Sequence, residues 1–406
     1  MHRQPSDNDS DSPSPHRTIH SLPTGIWVLG FVSMFMDISS ELIHSLLPVF
    51  MGTVLGASMS TIGWVEGVAE ATASITKIFS GVISDYLGKR KWLAALGYGL
   101  AAMTKPVFPL ANSIAWVFGA RFVDRIGKGI RGAPRDALVA DIAPRELRGA
   151  AYGLRQSLDS LGAFLGPLLA LLFMALLADN IRLVLWIAVV PALLSVSLIV
   201  FGVQDPEDGK THSGPRNTLT FKDASRLTGR YWLVVLLGLA FTLARFSEAF
   251  LILRAQDVGL GLGFVPLVLV VMNVVYTITA YPVGVAADRV SQKTLLIVGI
   301  LLLIAADIAL AAAGSPAFAI VGAGLWGMHM GFTQGLFSKL VADSSPSELR
   351  GAAFGIFNLV TGCALLAASV LAGALWSAFG ASATFYTGAV FATVALIGLV
   401  GYRRKR

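Results

Sequence analysis

Apolar residues run through this chain in long blocks separated by short polar breaks. A bilayer core takes roughly 20 apolar residues as helix, because the backbone polar groups must be satisfied within the segment. Twelve blocks meet that requirement, at 25–48, 61–83, 92–111, 114–131, 150–177, 183–203, 231–253, 263–286, 293–313, 316–338, 352–376 and 382–402. Two stretches break the rhythm. Residues 1–24, rich in Ser, Asp and Pro, read as a disordered tail and lack the apolar core of a signal peptide. Residues 204–230 form a polar linker between the sixth and seventh blocks. The pattern predicts an all-α membrane protein of twelve transmembrane helices in two six-helix, pseudo-symmetric bundles, 25–203 and 231–402, ending in a short basic tail at 403–406.

Composition supports that class. Hydrophobic residues make up 55% of the 406 and charged residues only 14%, with mean hydropathy +0.71. A soluble domain carries roughly 25% charged residues, so too few remain here to solvate a surface. Cys363 is the single cysteine, which leaves no disulfide framework and no Cys-based metal site. The net charge of +7 would suggest nucleic-acid binding in a soluble chain. Its placement gives another explanation. Of the 31 Lys and Arg residues, 24 fall in the tails, loops and adjoining span ends of one side, two in loops of the other and five deeper inside spans. The positive-inside rule then puts both termini in the cytoplasm, as for a multi-pass protein of the cell inner membrane. Nucleic acid is not an expected partner.

The two bundles repeat in sequence. Asp141-x-x-Pro144-x-Glu146-Leu147-Arg148-Gly149-Ala150-Ala151-x-Gly153 recurs as Asp343-x-x-Pro346-x-Glu348-Leu349-Arg350-Gly351-Ala352-Ala353-x-Gly355, 202 positions later. Gly81-x-x-x-Asp85 recurs as Gly284-x-x-x-Asp288, 203 positions later.

The loop after the second block reads Gly81-Val-Ile-Ser-Asp85-Tyr-Leu-Gly88-Lys89-Arg90-Lys91. Glycines permit a tight turn, the acid can cap a helix N-terminus, and the basic triplet holds the inner face. This segment resembles the signature loop of the major facilitator superfamily, with Tyr86, Lys89 and Ile83 as departures. With twelve spans in two repeats, the resemblance covers residues 25–402. It implies that Gly81, Asp85, Gly88, Lys89, Arg90 and Asp141 form a conformational latch, with Asp85 facing the helix start near Gly351 and Arg90 or Lys89 meeting Asp141. It also places Arg121 at the fourth-helix functional arginine, although Asp124 and Arg125 depart from the usual Gln and Gly. On the residues alone, Arg121 is a partnered intramembrane charge or an arginine snorkelling to the headgroups. Helix 5 carries Gly153-x8-Gly162-x3-Gly166-Pro167, which resembles the motif of members that exchange a substrate for a proton, closing on Ala170-Leu171 in place of Gly-Gly. Gly127-x-Gly129-x-x-Gly132 is a formal dinucleotide fingerprint, but it ends a membrane helix and lacks its βαβ setting.

The polar residues inside spans are the candidate chemistry. Asp37, Glu41 and His44 follow i, i+4, i+7 spacing and share one face of helix 1. Helix 7, its repeat partner, carries Arg245 and Glu248, and Ser247-Glu248 matches Ser40-Glu41. Asp37 and Glu41 are assigned to protons or substrate, or else to pairing with Arg121 or Arg155. In helix 2, Glu70 lies deep, whereas Glu66 is expected near the external end and wet. Lys105, Asp307 and His329 are further intramembrane polar residues.

These features predict a secondary transporter that exports a small organic molecule in exchange for protons, working as a monomer with membrane lipid around it. An importer of a polar metabolite, and efflux of a metal or chelate through Asp37, Glu41, His44 and Glu70, are the alternatives. No catalytic set is visible: H-E-x-x-H is absent, and His2, His16 and His20 sit in the tail. No cofactor or resident metal is expected.

Overall fold

The computed structural model describes residues 21–87, 89–204, 226–287, 289–333, 336–346 and 349–401. Most of the expected tail and linker, the basic C-terminus, and Gly88, Asp288 and Glu348 lie outside them, as does the Asp85 side chain. The described residues are nearly all helical, with no strand among them, and group into twelve spans.

In the first half these are α1 (Thr24–Val49), α2 (Met59–Leu87), α3 (Arg90–Thr104), α4 (Ile114–Ile142), α5 (Arg148–Leu176) and α6 (Ile181–Ile187 with Val189–Ser197). The second half has α7 (Gly229–Leu243 with Ala249–Asp257), α8 (Leu267–Ala286), α9 (Gln292–Ala311), α10 (Pro316–Thr333 with Leu336–Ser344), α11 (Arg350–Phe379) and α12 (Ala381–Gly401). Seven helices among the described residues are long and apolar enough to cross a membrane on length and composition alone. Helices such as α2 and α4 carry Glu66, Glu70, Arg121, Asp124 and Arg125 in their interiors, charges that only a bundle interior can accommodate.

Three helices differ from the simple hydropathy pattern. The fourth block ends at the charges near 131, yet α4 continues to Ile142 through Pro134. Leu138 and Val139 are buried on the extension. Its charged face meets other charges: Arg135 lies 3.2 Å from Asp136 and 3.8 Å from Asp159, and Arg155 lies 2.7 Å from Asp159. Beyond Pro48, which has no N–H to donate, α1 widens into a π-turn over Phe50–Val54. Finally, α7 is interrupted at 244–248. The freed backbone there is satisfied by side chains, because Ser247 N–H donates to Ser369 Oγ of α11 at 3.2 Å and Ala249 N–H donates to Ser247 Oγ at 3.3 Å.

The halves meet through α2 on α11, α5 on α8, and α1 on the second segment of α7. Close approach is concentrated at the end away from the start of α1. There Ser60 donates to Ser377 at 3.0 Å, and a Cβ on Gly63 would lie 3.2 Å from the Gly373 backbone. A Cβ on Gly67 would lie 3.0 Å from the Leu366 carbonyl. Small residues let these backbones touch. One buried core crosses the seam at this far end, joining Leu46, Ile62 and Val65 to Ala368, Ala372 and Trp376. At the near end the first half keeps a separate core of Ile26, Leu29, Tyr98, Leu138 and Ile199. The halves are thus closed together at the far end.

Candidate functional site

A cavity of about 340 Å³ lies at the seam between the halves. From the first half it is lined by Glu41 and His44 of α1, Glu70 of α2, and Arg125 and Lys128 of α4. The second half supplies Thr242, the interrupted turn Arg245, Phe246, Ser247 and Glu248, Trp326 of α10 and Leu365 of α11. The break in α7 turns four successive side chains toward the seam, which a continuous helix would spread around its circumference. Its Arg245 guanidinium stacks on Phe241, 5.5 Å from the ring centre.

Ion pairs organise the walls. Glu41 lies 3.3 Å from His44 Nδ1, and Arg125 lies 3.2 Å from Glu70. Behind them Arg121 donates to Glu66 at 2.7 Å, with the side chains 2% and 0% exposed. Lys105 donates to Asp124 at 2.8 Å and to Ser40 at 3.1 Å. These charges are affordable in a membrane only as pairs. One carboxylate joins the halves: Glu66 also accepts from Ser247 Oγ at 3.4 Å.

Five of the seven residues expected in the cavity line it: Glu41, His44, Glu70, Arg245 and Glu248. Arg121 is buried beside Glu66, so neither Asp37 nor Glu41 is its partner. Glu66 is therefore a buried member of a pair and not a wet residue at the external end. Asp37 shares the Glu41 face but points toward Arg131, at 3.9 Å. Arg125 and Lys128 were absent from the sequence-based site. Both lie within the fourth apolar block and reach the cavity because α4 packs on α2, where Arg125 meets Glu70.

The helix-5 glycines split in role. Gly162 and Gly166 press on α1, where added Cβ atoms would lie 3.1 Å from the Asp37 Cβ and 2.8 Å from the Glu41 Cβ. Gly153 faces open space, and Pro167 lies inside α5. Close packing of α5 thus positions the acidic face of α1. In the near-end loop region Arg90 donates to Asp141, Lys89 is exposed at the start of α3, and a Cβ on Gly81 would lie 3.7 Å from the Ala133 Cβ. Asp85 and Gly88 fall outside the described side chains. Among the described residues no group of three His, Cys, Asp or Glu side chains is placed to hold a metal ion. Glu70 and Asp37, two of the four ligands of the metal-efflux alternative, are turned instead to Arg125 and Arg131.

The sequence profile described as Major Facilitator Superfamily matches residues 29–253 and 240–406. The chain belongs to the major facilitator superfamily. An uncharacterized transporter of this superfamily type from Methanocaldococcus jannaschii is 32% identical over 382 residues, covering 92% of this chain and 93% of the relative. The quinolone resistance protein NorA of Staphylococcus aureus is 25% identical over 142 residues, covering 35% of this chain and 36% of NorA. Among solved structures, the nucleoside transporter NupG superposes with a TM-score of 0.76 at 14% identity, covering 93% of this chain and 99% of NupG. That likeness establishes the fold. The protein is a multi-pass membrane transporter of this superfamily.

Proposed function

We propose that this transporter exports a small organic molecule in exchange for protons by alternating access, with the seam cavity as the shared site. The observation that carries the reading is the pairing of cavity carboxylates with releasable partners. Glu41 sits 3.3 Å from His44 and Glu70 sits 3.2 Å from Arg125, both on the cavity wall. Glu248 from the opposite half completes a ring of three acids. A carboxylate beside a cation favours the charged form, and one moved away from water and from that cation favours the neutral form. Rocking of the halves would alternate these settings. Protonation of Glu70 frees Arg125, and protonation of Glu41 frees His44, so proton loading changes which groups face the cargo.

The moving bodies are residues 25–203 and 231–402, joined by the linker 204–230, with both termini in the cytoplasm of a cell whose inner membrane holds the protein. Closure at the far end then corresponds to a cavity served from the cytoplasmic side, where an exporter collects cargo. The Arg90–Asp141 pair belongs to the latch that would close that side, together with Asp85 and Gly88. Export is further supported by the helix-5 glycines that seat α1 and by the partial likeness to NorA, a protein named for quinolone resistance.

Direction is tested in cells producing the protein, its Glu248→Gln variant or neither, exposed to a panel of organic compounds. Export predicts at least one compound that accumulates less with the wild type and regains its level with the variant. Greater accumulation with the wild type overturns export and establishes import.

A further inference from the structure

Asp307 stands apart from the cavity and from every ion pair described above. It lies on α9, four residues before the helix ends at Ala311, and is 0% exposed. Among the described residues neither carboxyl oxygen has a hydrogen-bond partner. The buried acids Glu66 and Asp124 each hold a cation within 2.8 Å. An ionised carboxylate enclosed at 0% exposure with no cation beside it would carry a high desolvation cost, so this enclosure suits the neutral acid.

The surroundings show where a proton could come from. A Cβ on Gly388 of α12 would lie 2.7 Å from Asp307 Oδ2 and 3.0 Å from the Phe246 ring, so the carboxyl, the Gly388 backbone and that ring meet at one point. The same Phe246 lines the seam cavity from the interrupted turn of α7. It is held by Trp326 at 5.6 Å and Phe385 at 5.5 Å between ring centres. Phe246 thus stands beside both the buried acid and the polar cavity. The elements packed on α9 are α10 and α12. The first brings His329, whose Nδ1 is bonded to the Gly299 carbonyl at 2.8 Å, and Lys339 on its near-end segment. The second brings Tyr386, which is exposed. The turn of α7 adds Arg245 and Glu248 on the cavity side, and its far segment adds Arg254, which is engaged by the carbonyls of Leu310, Ala311 and Ala313 and by Asp257. None of these makes an ion pair with Asp307.

We propose that Asp307 is a proton-binding site of the second half, distinct from the cavity carboxylates, with Phe246 as the door through which it exchanges protons with cavity water. When the α7 turn swings the ring aside, water reaches the carboxyl and the proton leaves for that water or arrives from it. When the ring returns, the acid is sealed in its neutral form. The use of this proton in transport rests on the proton-coupled reading above, whereas the existence of the site does not.

The site is tested by infrared spectroscopy of the purified protein in lipid at neutral pH, for wild type, Asp307→Asn, Asp307→Leu and Phe246→Leu. The wild type should show a protonated-carboxyl C=O band that both Asp307 variants lack, and D2O should shift that band several-fold faster in Phe246→Leu. The leucine variant guards against a folding artefact, since an apolar side chain should be accommodated where a neutral, unpartnered acid sits. A band that persists in both Asp307 variants, or that exchanges at the wild-type rate in Phe246→Leu, overturns the proposal. In liposomes, pH-gradient-driven transport should be reduced in Asp307→Asn. If the band assignment holds while wild-type transport ignores the pH gradient, the coupling reading fails and the site stands.

Discussion

The Glu66–Arg121 pair offers the sharpest test of how the first half is built. Both side chains are withdrawn from solvent, at 0% and 2% exposure, and they are joined at 2.7 Å. Glu66→Leu would leave the Arg121 guanidinium buried without its ion-pair partner. Breaking a buried pair from one side costs about 3–5 kcal/mol, a factor of roughly 10² to 10³ or more in the folding equilibrium at about 1.4 kcal/mol per decade. The double variant Glu66→Leu/Arg121→Met removes both charges and should recover most of that loss, since an apolar replacement of both partners is often neutral or stabilising. The assay is unfolding in mixed detergent–SDS micelles followed by tryptophan fluorescence, run as a double-mutant cycle with Arg121→Met alone. A single-variant cost below about 1 kcal/mol, the range of exposed pairs, would refute the claim that Glu66 is a dry structural partner. Because Glu66 also accepts from Ser247 at 3.4 Å, both Glu66 variants should also weaken the link between the halves.

Two further outcomes follow from the packing. Lys105→Met leaves Asp124, which Lys105 holds at 2.8 Å in a site only 4% exposed, with Arg125 at 4.0 Å as its remaining cation, and should cost about 3 kcal/mol in the same assay, the low end for a broken buried pair, whereas a loss within experimental error would contradict the pair's structural weight. Gly63→Val places branched carbons against the Ser369 carbonyl and the Gly373 backbone, 3.2 Å away at its Cβ. It should hold the far end open and speed labelling of a Ser377→Cys probe by an impermeant thiol reagent in a Cys363→Ala background. Unchanged labelling would show that α2 and α11 do not seal that end.

Much of the architecture was legible because apolar runs and the 202-residue repeat are properties of sequence. The acidic face of α1 was legible as well, since i, i+4 spacing fixes Asp37 and Glu41 to one side of a helix. Partnership was not. Arg121 could have met any acid on helices 1, 2 or 5, and only the rotation of α2 against α4 selects Glu66. Position along a span likewise misjudged Glu66, because depth says nothing about which way a side chain points. The break in α7 carries neither Gly nor Pro at 244–248. It is held by tertiary partners, Ser369 among them, and tertiary partners leave no local signal. Arg125 and Lys128 lie inside the fourth block, and only the packing of α4 against α2 turns them to the cavity.

The central claim is that protons and cargo share the seam cavity through Glu41, Glu70 and Glu248. The direct measurement is proton movement across liposomes holding the purified protein at fixed internal pH, on adding a panel of organic compounds, for wild type beside Glu41→Gln and Glu248→Gln. The account predicts at least one compound that drives protons across with the wild type, and a marked loss of that movement in at least one of the two variants. Compound uptake that proceeds at the same rate with and without a pH gradient, and equally in all three proteins, would contradict it.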